Sequence, residues 1–244
     1  MNRLSRRDTI KGLALGAVAG LGAPFGFAAG NVSARGAEVQ KRAGEAKPVR
    51  EEIVWSRKVP VRHVADVAVI GGGIAGVAAA CAAVKSGAKV VLVERFAITG
   101  GNMTTGGVAS FCGETAGQGE VFDEILTDME KFKAVAPYKP YPQLDHRVFD
   151  HHILAIVLQE LLLRRKVKLL FHTRFVDVRV TDGGRITECI VCGKSGPEAL
   201  RAKQFIDCTG DADVARTAGF ATMKGRPEDG LQLPMSMMFF VRPA

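Results

Sequence analysis

The body of this chain has little net charge. The 244 residues together carry a formal net charge of +8, but the first fifty hold nine lysines and arginines against three acidic residues. The remaining residues hold 24 basic against 22 acidic side chains, so the excess positive charge belongs to the N-terminus. Because a nucleic-acid-binding domain needs a concentrated basic surface, this distribution excludes that class for the body of the protein.

The chain also lacks a metal motif and a disulfide framework. The histidines His146, His151 and His152 have no acid–histidine spacing typical of metal sites, so we expect a helix start or a surface position for them. Cys189 and Cys192 form a C-x-x-C pattern inside a predicted strand, where side chains three apart point to opposite faces. We therefore predict no metal site, and core packing rather than a disulfide for these two cysteines.

Charged residues are absent from residues 12–29, which are rich in glycine and alanine. They follow Ser5-Arg6-Arg7-Asp8-Thr9-Ile10-Lys11, which resembles a twin-arginine signal with Thr9 in place of the usual phenylalanine. Residues 1–30 are therefore predicted to direct export to the periplasm or another extracytoplasmic site. A retained membrane anchor is the alternative, although five glycines and Pro24 make a poor spanning helix. Residues 31–56 are predicted to be a linker.

The stretch Asp66–Glu94 has the pattern of a dinucleotide-binding unit. An apolar β-branched run ends at Gly71, an alanine-rich helical pattern follows Gly76, and a second apolar run leads to Glu94. Glycine at position 73 lets backbone approach a pyrophosphate at the helix N-terminus. Glu94 can accept hydrogen bonds from an adenosine ribose and would repel a 2′-phosphate, which argues against NADP. The stretch predicts a Rossmann-type site.

A second glycine-rich loop, Gly100-Gly101-Asn102-Met103-Thr104-Thr105-Gly106-Gly107, follows at once, and Thr209-Gly210-Asp211 comes much later. These segments, in this order, resemble the FAD-dependent oxidoreductase family of the glutathione-reductase-like superfamily. The resemblance runs from about Val59 to Val241. It implies that the second loop runs beside the pyrophosphate, the ribityl chain and the flavin ring, and that the backbone of Val176 reads the adenine, with Val178 as the alternative. Cys112 would then lie close enough to the flavin for a redox role to be considered.

The pattern and the resemblance together define a predicted cofactor-binding set. Its members belong to the two glycine loops, the strand ends and the adenine strand: Gly71, Gly73, Ala75, Gly76, Glu94, Arg95, Gly100, Gly101, Asn102, Thr104, Gly106, Gly107, Val176, Thr209, Gly210 and Asp211. The predicted cofactor is FAD. The sequence identifies no catalytic acid, base or substrate clamp, so the catalytic residues stay unknown.

The predicted fold class is α/β, with a parallel Rossmann-type sheet, a β-meander and a helical insertion at about 111–166. Helices are predicted over 119–132 and 150–165, and strands over 167–171, 173–180, 185–192 and 199–203, followed by a further strand from 204. A meander, rather than further βα units, favours FAD over NAD. The FAD-binding domain is expected to cover 57–244.

An apolar run over 231–241 predicts one more strand close to the end of the sequence. Since nothing follows to cover that strand, we expect the domain to be incomplete, either as an N-terminal fragment of a longer enzyme or as a chain that needs a partner. The predicted function is that of an exported FAD-dependent oxidoreductase acting on a small organic substrate. The alternatives are a flavin-binding or electron-relay module with an electron-transfer partner, and an inactive fragment.

Overall fold

The computed structural model describes residues 53–113, 115–137 and 146–238. The predicted export signal, most of the predicted linker and residues 239–244 lie outside the described residues. A compact unit begins at Arg57.

Helices and strands alternate through the first part of this unit, and strands dominate the second part. In chain order the elements are β1 (Val61–Ile70), α1 (Ile74–Lys85), β2 (Val90–Val93), β3 (Ser110–Cys112), α2 (Glu120–Lys131), β4 (His146–Val148), α3 (His151–Arg164), β5 (Lys168–Leu170), β6 (Arg174–Val180), β7 (Ile186–Gly193), β8 (Gly196–Asp207) and α4 (Asp213–Thr217).

The central sheet has the strand order β5-β2-β1-β8-β7-β6. β1 pairs in parallel with β2 on one side and with β8 on the other, and β2 pairs in parallel with β5. β7 pairs antiparallel with both β8 and β6. A parallel Rossmann-type half is thus joined to a β-meander in one sheet, which confirms the predicted α/β fold class.

The apolar runs of β1 and β2 are explained by cover on both faces of the sheet. All four residues of β2 are buried, as expected for a parallel strand with elements packed on either side. On one face, Val69 and Leu92 pack in a cluster with residues of α1, α2 and α3. On the other face, Ile70 and Val93 pack in a second cluster with Leu200 of β8. The two clusters hold the carboxyl ends of these strands rigidly in place.

Polar contacts fix the helices that cover the first face. Asp150 caps α3, because its Oδ1 accepts hydrogen bonds from the backbone N–H groups of His152 at 2.9 Å and Ile153 at 3.2 Å. Arg164 of α3 donates to Oδ2 of Asp128 in α2 at 2.6 Å, which ties the two helices together. No helix among the described residues has the length and hydropathy needed to cross a membrane.

The structure differs from the predicted elements in three places. Gly196–Asp207 is one continuous strand rather than two, because β8 stays paired with β1 from Ala199 to Asp207. β3 and β4 pair as a two-stranded antiparallel sheet inside the segment predicted to be a helical insertion. The strand predicted over 231–241 is absent from its described residues, 231–238, and the rest of it lies outside the described residues.

Candidate functional site

The carboxyl ends of β1, β2 and β8 border a cavity of about 490 Å³. From β1 the chain passes through α1 to β2 on one side, whereas β8 lies on the other side of β1. Open α/β sheets form a ligand crevice at such a point, where the strand order reverses. The volume is typical of a small-molecule site.

The first glycine turn forms one wall of the cavity. Gly71 has a φ of +103°, and a Cβ on it would lie 2.2 Å from the carbonyl oxygen of Cys208. A Cβ on Gly76 would lie 1.9 Å from the carbonyl oxygen of Gly71, so α1 can approach the turn only with glycine there. Gly73 differs, because a Cβ on it would meet no other atom within 4 Å. The fold requires Gly71 and Gly76, whereas Gly73 leaves space open at the cavity that it lines.

The second glycine loop packs directly on the first. The backbone N–H of Gly100 donates to the carbonyl oxygen of Gly72 at 2.7 Å, and a Cβ on Gly101 would lie 3.2 Å from the Cα of Gly73. Thr104 is buried, and its hydroxyl donates to the carbonyl oxygen of Thr99 at 2.6 Å. The hydroxyl of Thr104 therefore shapes the loop from inside.

Glu94 follows β2 and fastens the first glycine turn to the loop after that strand. Its buried carboxylate accepts a hydrogen bond from the backbone N–H of Gly72 at 2.7 Å and another from that of Phe96 at 2.8 Å. A carboxylate has about four acceptor positions, so both oxygens keep a position for a further donor. Glu94 can thus hold the turn and accept a ligand hydroxyl at the same time.

The third wall comes from the chain around β6 and β8. The backbone N–H of Thr173, just before β6, donates to the carbonyl oxygen of Glu94 at 3.0 Å, which brings the start of β6 to the end of β2. After β8, the N–H of Cys208 donates to the carbonyl oxygen of Ile70 at 2.8 Å and extends the pairing with β1. Thr209 and Gly210 then turn along the cavity.

The structure brings most of the predicted cofactor-binding residues to this one cavity. The predicted residues that line it are Gly71, Gly73, Ala75, Glu94, Arg95, Gly100, Gly101, Asn102, Val176, Thr209 and Gly210. Five predicted residues are not part of the lining: Gly76, Thr104, Gly106, Gly107 and Asp211. Of these, Gly76 and Gly106 make close backbone packing possible, since a Cβ on Gly106 would lie 2.7 Å from the Cα of Asn102.

Several lining residues were not predicted from the sequence. They flank predicted positions or come from α4: Ile70, Ile74, Val93, Phe96, Met103, Thr173, Arg174, Phe175, Cys208, Asp213, Arg216 and Thr217. The guanidinium group of Arg95 lies 4.7 Å from the centre of the Phe96 ring. Side chains two apart in a strand share a face, so Arg174 could have been predicted from Val176. The sequence of α4, in contrast, has no pattern that indicates a ligand.

The cysteines are all free thiols. Cys208 lines the cavity, and burial together with the charge of Asp207 raises the pKa of its thiol. Burial raises the pKa of Cys189 to about 12, in agreement with the predicted core position. Cys112 lies exposed on β3 and is not part of the cavity lining.

Two of the three histidines lie at a helix start, which is one of the two positions predicted for them. His151 and His152 are the first residues of α3, and potential ligand atoms of these two side chains and Asp150 lie within 4.8 Å of one another. The carboxylate of Asp150 is already engaged in capping the helix. The backbone of His146 belongs to β4.

Comparison with known proteins gives one family match. The profile of the FAD dependent oxidoreductase family matches residues 66–244. Digeranylgeranylglycerophospholipid reductase 2 of Methanopyrus kandleri is 31% identical over 163 residues, which cover 63% of this chain and 40% of that protein. NADH:acrylate oxidoreductase of Vibrio harveyi is 42% identical over 59 residues, which cover 24% of this chain and 6% of that protein. The chain thus spans less than half the length of these two curated relatives.

A solved structure supports the fold. The crystal structure of Thermovibrio ammonificans THI4 matches with a TM-score of 0.50 and 17% sequence identity, and the match covers 92% of this chain and 76% of that one. At this level of identity the similarity concerns the fold alone.

Proposed function

The chain belongs to the FAD dependent oxidoreductase family, and we propose that it binds FAD in the cavity at the ends of β1, β2 and β8 and uses it to oxidise or reduce a small organic substrate. FAD is the cofactor of the family, which confirms the cofactor predicted from the sequence. The observation that carries the proposal is the open space at Gly73, beside a cavity walled by both glycine loops.

The residues of this cavity fit the parts of a dinucleotide. Gly73 immediately precedes α1, whose first backbone N–H groups suit an anionic pyrophosphate. The free acceptor positions of Glu94 suit the hydroxyls of the adenosine ribose. The mixed lining of backbone, apolar and charged groups is typical of a cofactor site.

This fit indicates what the bound cofactor and the chain would each contribute to the reaction. Bound FAD would supply the transfer of a hydride or an electron pair, and the chain would bind the cofactor, orient it and keep water away from part of it. The names of the two curated relatives, a reductase and an oxidoreductase, support an organic substrate for this chain as well.

An absorption spectrum of the purified full chain tests the proposal. We expect the visible bands of an oxidised flavin, retained through gel filtration and bleached when an organic donor is added without oxygen. A protein that neither retains FAD nor binds it when FAD is supplied would contradict the assignment of the site. Photoreduction without turnover on any donor or acceptor would instead support an electron-relay module that serves a protein partner.

Export is a separate part of the proposal and rests on the sequence of residues 1–30 alone. We propose that the protein is carried to the periplasm, or another extracytoplasmic site, by the twin-arginine route. This route transports folded proteins, which suits a protein that must fold around FAD before it leaves the cytoplasm. Cell fractionation separates this proposal from a retained membrane anchor.

A further inference from the structure

One carboxylate organises the chain that follows β8. Asp207, the last residue of that strand, accepts hydrogen bonds on Oδ1 from both the backbone N–H and the hydroxyl of Thr209, at 3.0 and 2.7 Å. Its Oδ2 accepts from the backbone N–H of Ala215 in α4 at 3.0 Å. The hydroxyl of Thr209 in turn accepts from the N–H of Asp213 at 2.8 Å. A single side chain thus joins the turn after β8 to the short helix α4.

The turn that Asp207 holds contains two residues in the left-handed region. Gly210 has a φ of +90°, and Ala212, which carries a Cβ, has a φ of +53°. A residue other than glycine is disfavoured in the left-handed region, and a methyl side chain makes no hydrogen bond that could offset this. Asp207 accepts hydrogen bonds from residues on both sides of Ala212, and these bonds favour the turn.

Residues of this turn and of α4 line the cofactor cavity. Thr209 and Gly210 belong to the turn itself, and Asp213 and Arg216 come from α4. Asp207 does not line the cavity, so it can affect a ligand there only through the residues that it holds. On the other side of β1, Glu94 likewise accepts backbone N–H groups at the end of a parallel strand and fastens the first glycine turn.

We propose that Asp207 is a positioning residue for the FAD site, because its carboxylate holds the Thr209–Gly210 turn and α4 in the arrangement that admits the cofactor. The inference rests on the proposed function, in which FAD occupies this cavity. The carboxylate is required because it offers two oxygens as acceptors. An asparagine could accept from Thr209 with its one oxygen, but it would then present its amide N–H₂ to the N–H of Ala215.

Fluorescence titration with FAD tests the inference on the full chain after removal of bound flavin. We expect Asp207→Asn to weaken FAD binding about tenfold, since it replaces a charge-assisted hydrogen bond by two opposed donors. Asp66→Asn is the matched control. Asp66, within β1 and not part of the cavity lining, also accepts a backbone N–H, from Lys89 at 2.9 Å, so this variant should lose thermal stability but keep its FAD affinity.

A second pair of variants separates positioning from general loss of stability, and remains informative if Asp207→Asn does not fold. Thr209→Val keeps the shape of the side chain but removes the hydroxyl that links Asp207 to Asp213, whereas Thr209→Ser keeps that hydroxyl. We expect Thr209→Val to bind FAD about tenfold more weakly than Thr209→Ser does.

The possible results decide separately on the inference and on the proposed function. If the unaltered protein binds FAD and Asp207→Asn or Thr209→Val binds it equally well, the positioning role is wrong while the site assignment stands. If Asp66→Asn weakens FAD binding as much as Asp207→Asn, the effect is one of stability, and the inference is again overturned. If the unaltered protein binds no FAD, the proposed function fails first.

Discussion

Replacing Gly73 by alanine should weaken FAD binding without harming the fold. The N-cap conformation of Gly73, with φ of −65° and ψ of 179°, is open to any residue, and the added Cβ would meet no other atom within 4 Å. Losing glycine also restricts the unfolded chain, which stabilises a protein by about 0.4–1 kcal/mol where the new residue fits. We therefore expect the unfolding midpoint of the flavin-free variant to stay the same or rise slightly.

Although the Gly73→Ala substitution should leave stability unchanged or raise it, it should lower the affinity for FAD. Backbone at Gly73 must approach the pyrophosphate closely, and a methyl group in that space should weaken FAD binding at least tenfold, or about 1.4 kcal/mol. Flavin retained on gel filtration and a fluorescence titration with FAD measure this loss, and Gly73→Val should enlarge it.

Gly71→Ala is the contrasting variant, because it should damage the fold first. The Cβ of the alanine would lie 2.2 Å from a carbonyl oxygen, and its backbone would have to keep a φ of +103°. Together these two effects should lower the free energy of unfolding by at least about 2 kcal/mol. The reasoning would be refuted if Gly73→Ala bound FAD as tightly as the unaltered protein, or if it lost as much stability as Gly71→Ala.

Three further predictions concern other parts of the chain. Glu94→Ala should release flavin on gel filtration and also lower the unfolding midpoint, because two backbone N–H groups lose their acceptor; full flavin occupancy would contradict this. Burial alone would raise the pKa of Asp128, but hydrogen bonds from Arg164 and Lys131 hold it below its usual value, so the charge of Asp128 stabilises the fold at neutral pH. Asp128→Asn should cost about 1 kcal/mol at neutral pH in thermal melts, with the difference vanishing as the pH falls through the lowered pKa, and a constant difference would argue against this ion pair. Changing Arg6 and Arg7 together to lysine should leave precursor in the cytoplasm, and unchanged export in fractionated cells would count against a twin-arginine signal.

The dinucleotide unit was predictable from the sequence because each of its signals is local. The run before Gly71, the helical pattern after it and the acid at Glu94 occur within one short stretch, and each has a backbone or chemical reason. The structure places them as predicted, with β1, α1 and β2 in order and Glu94 directly after β2.

The parts of the fold and of the site that the sequence did not predict depend on which groups the folded backbone brings together. Whether Gly196–Asp207 is one strand or two is decided by its pairing with β1, which no local pattern reports. The hydroxyl of Thr104 faces the interior of its own loop because the carbonyl oxygen of Thr99 lies 2.6 Å away. The sequence pattern of a polar residue in a glycine-rich loop is the same whether its side chain faces a ligand or the loop itself. Tertiary context therefore decided these assignments.

The continuous pairing of β8 with β1 has a consequence for the order of folding. Val61 pairs with Ala199 and Ile70 with Asp207, so β1 must wait for a partner that is synthesised much later than its neighbour β2. Closing so long a loop is entropically costly, and contacts of this kind form late and slowly. The third wall of the cavity exists only once this pairing is complete. Flavin capture would therefore report that the pairing of β8 with β1 has formed, and a cell could load the cofactor only after synthesis had passed Asp207.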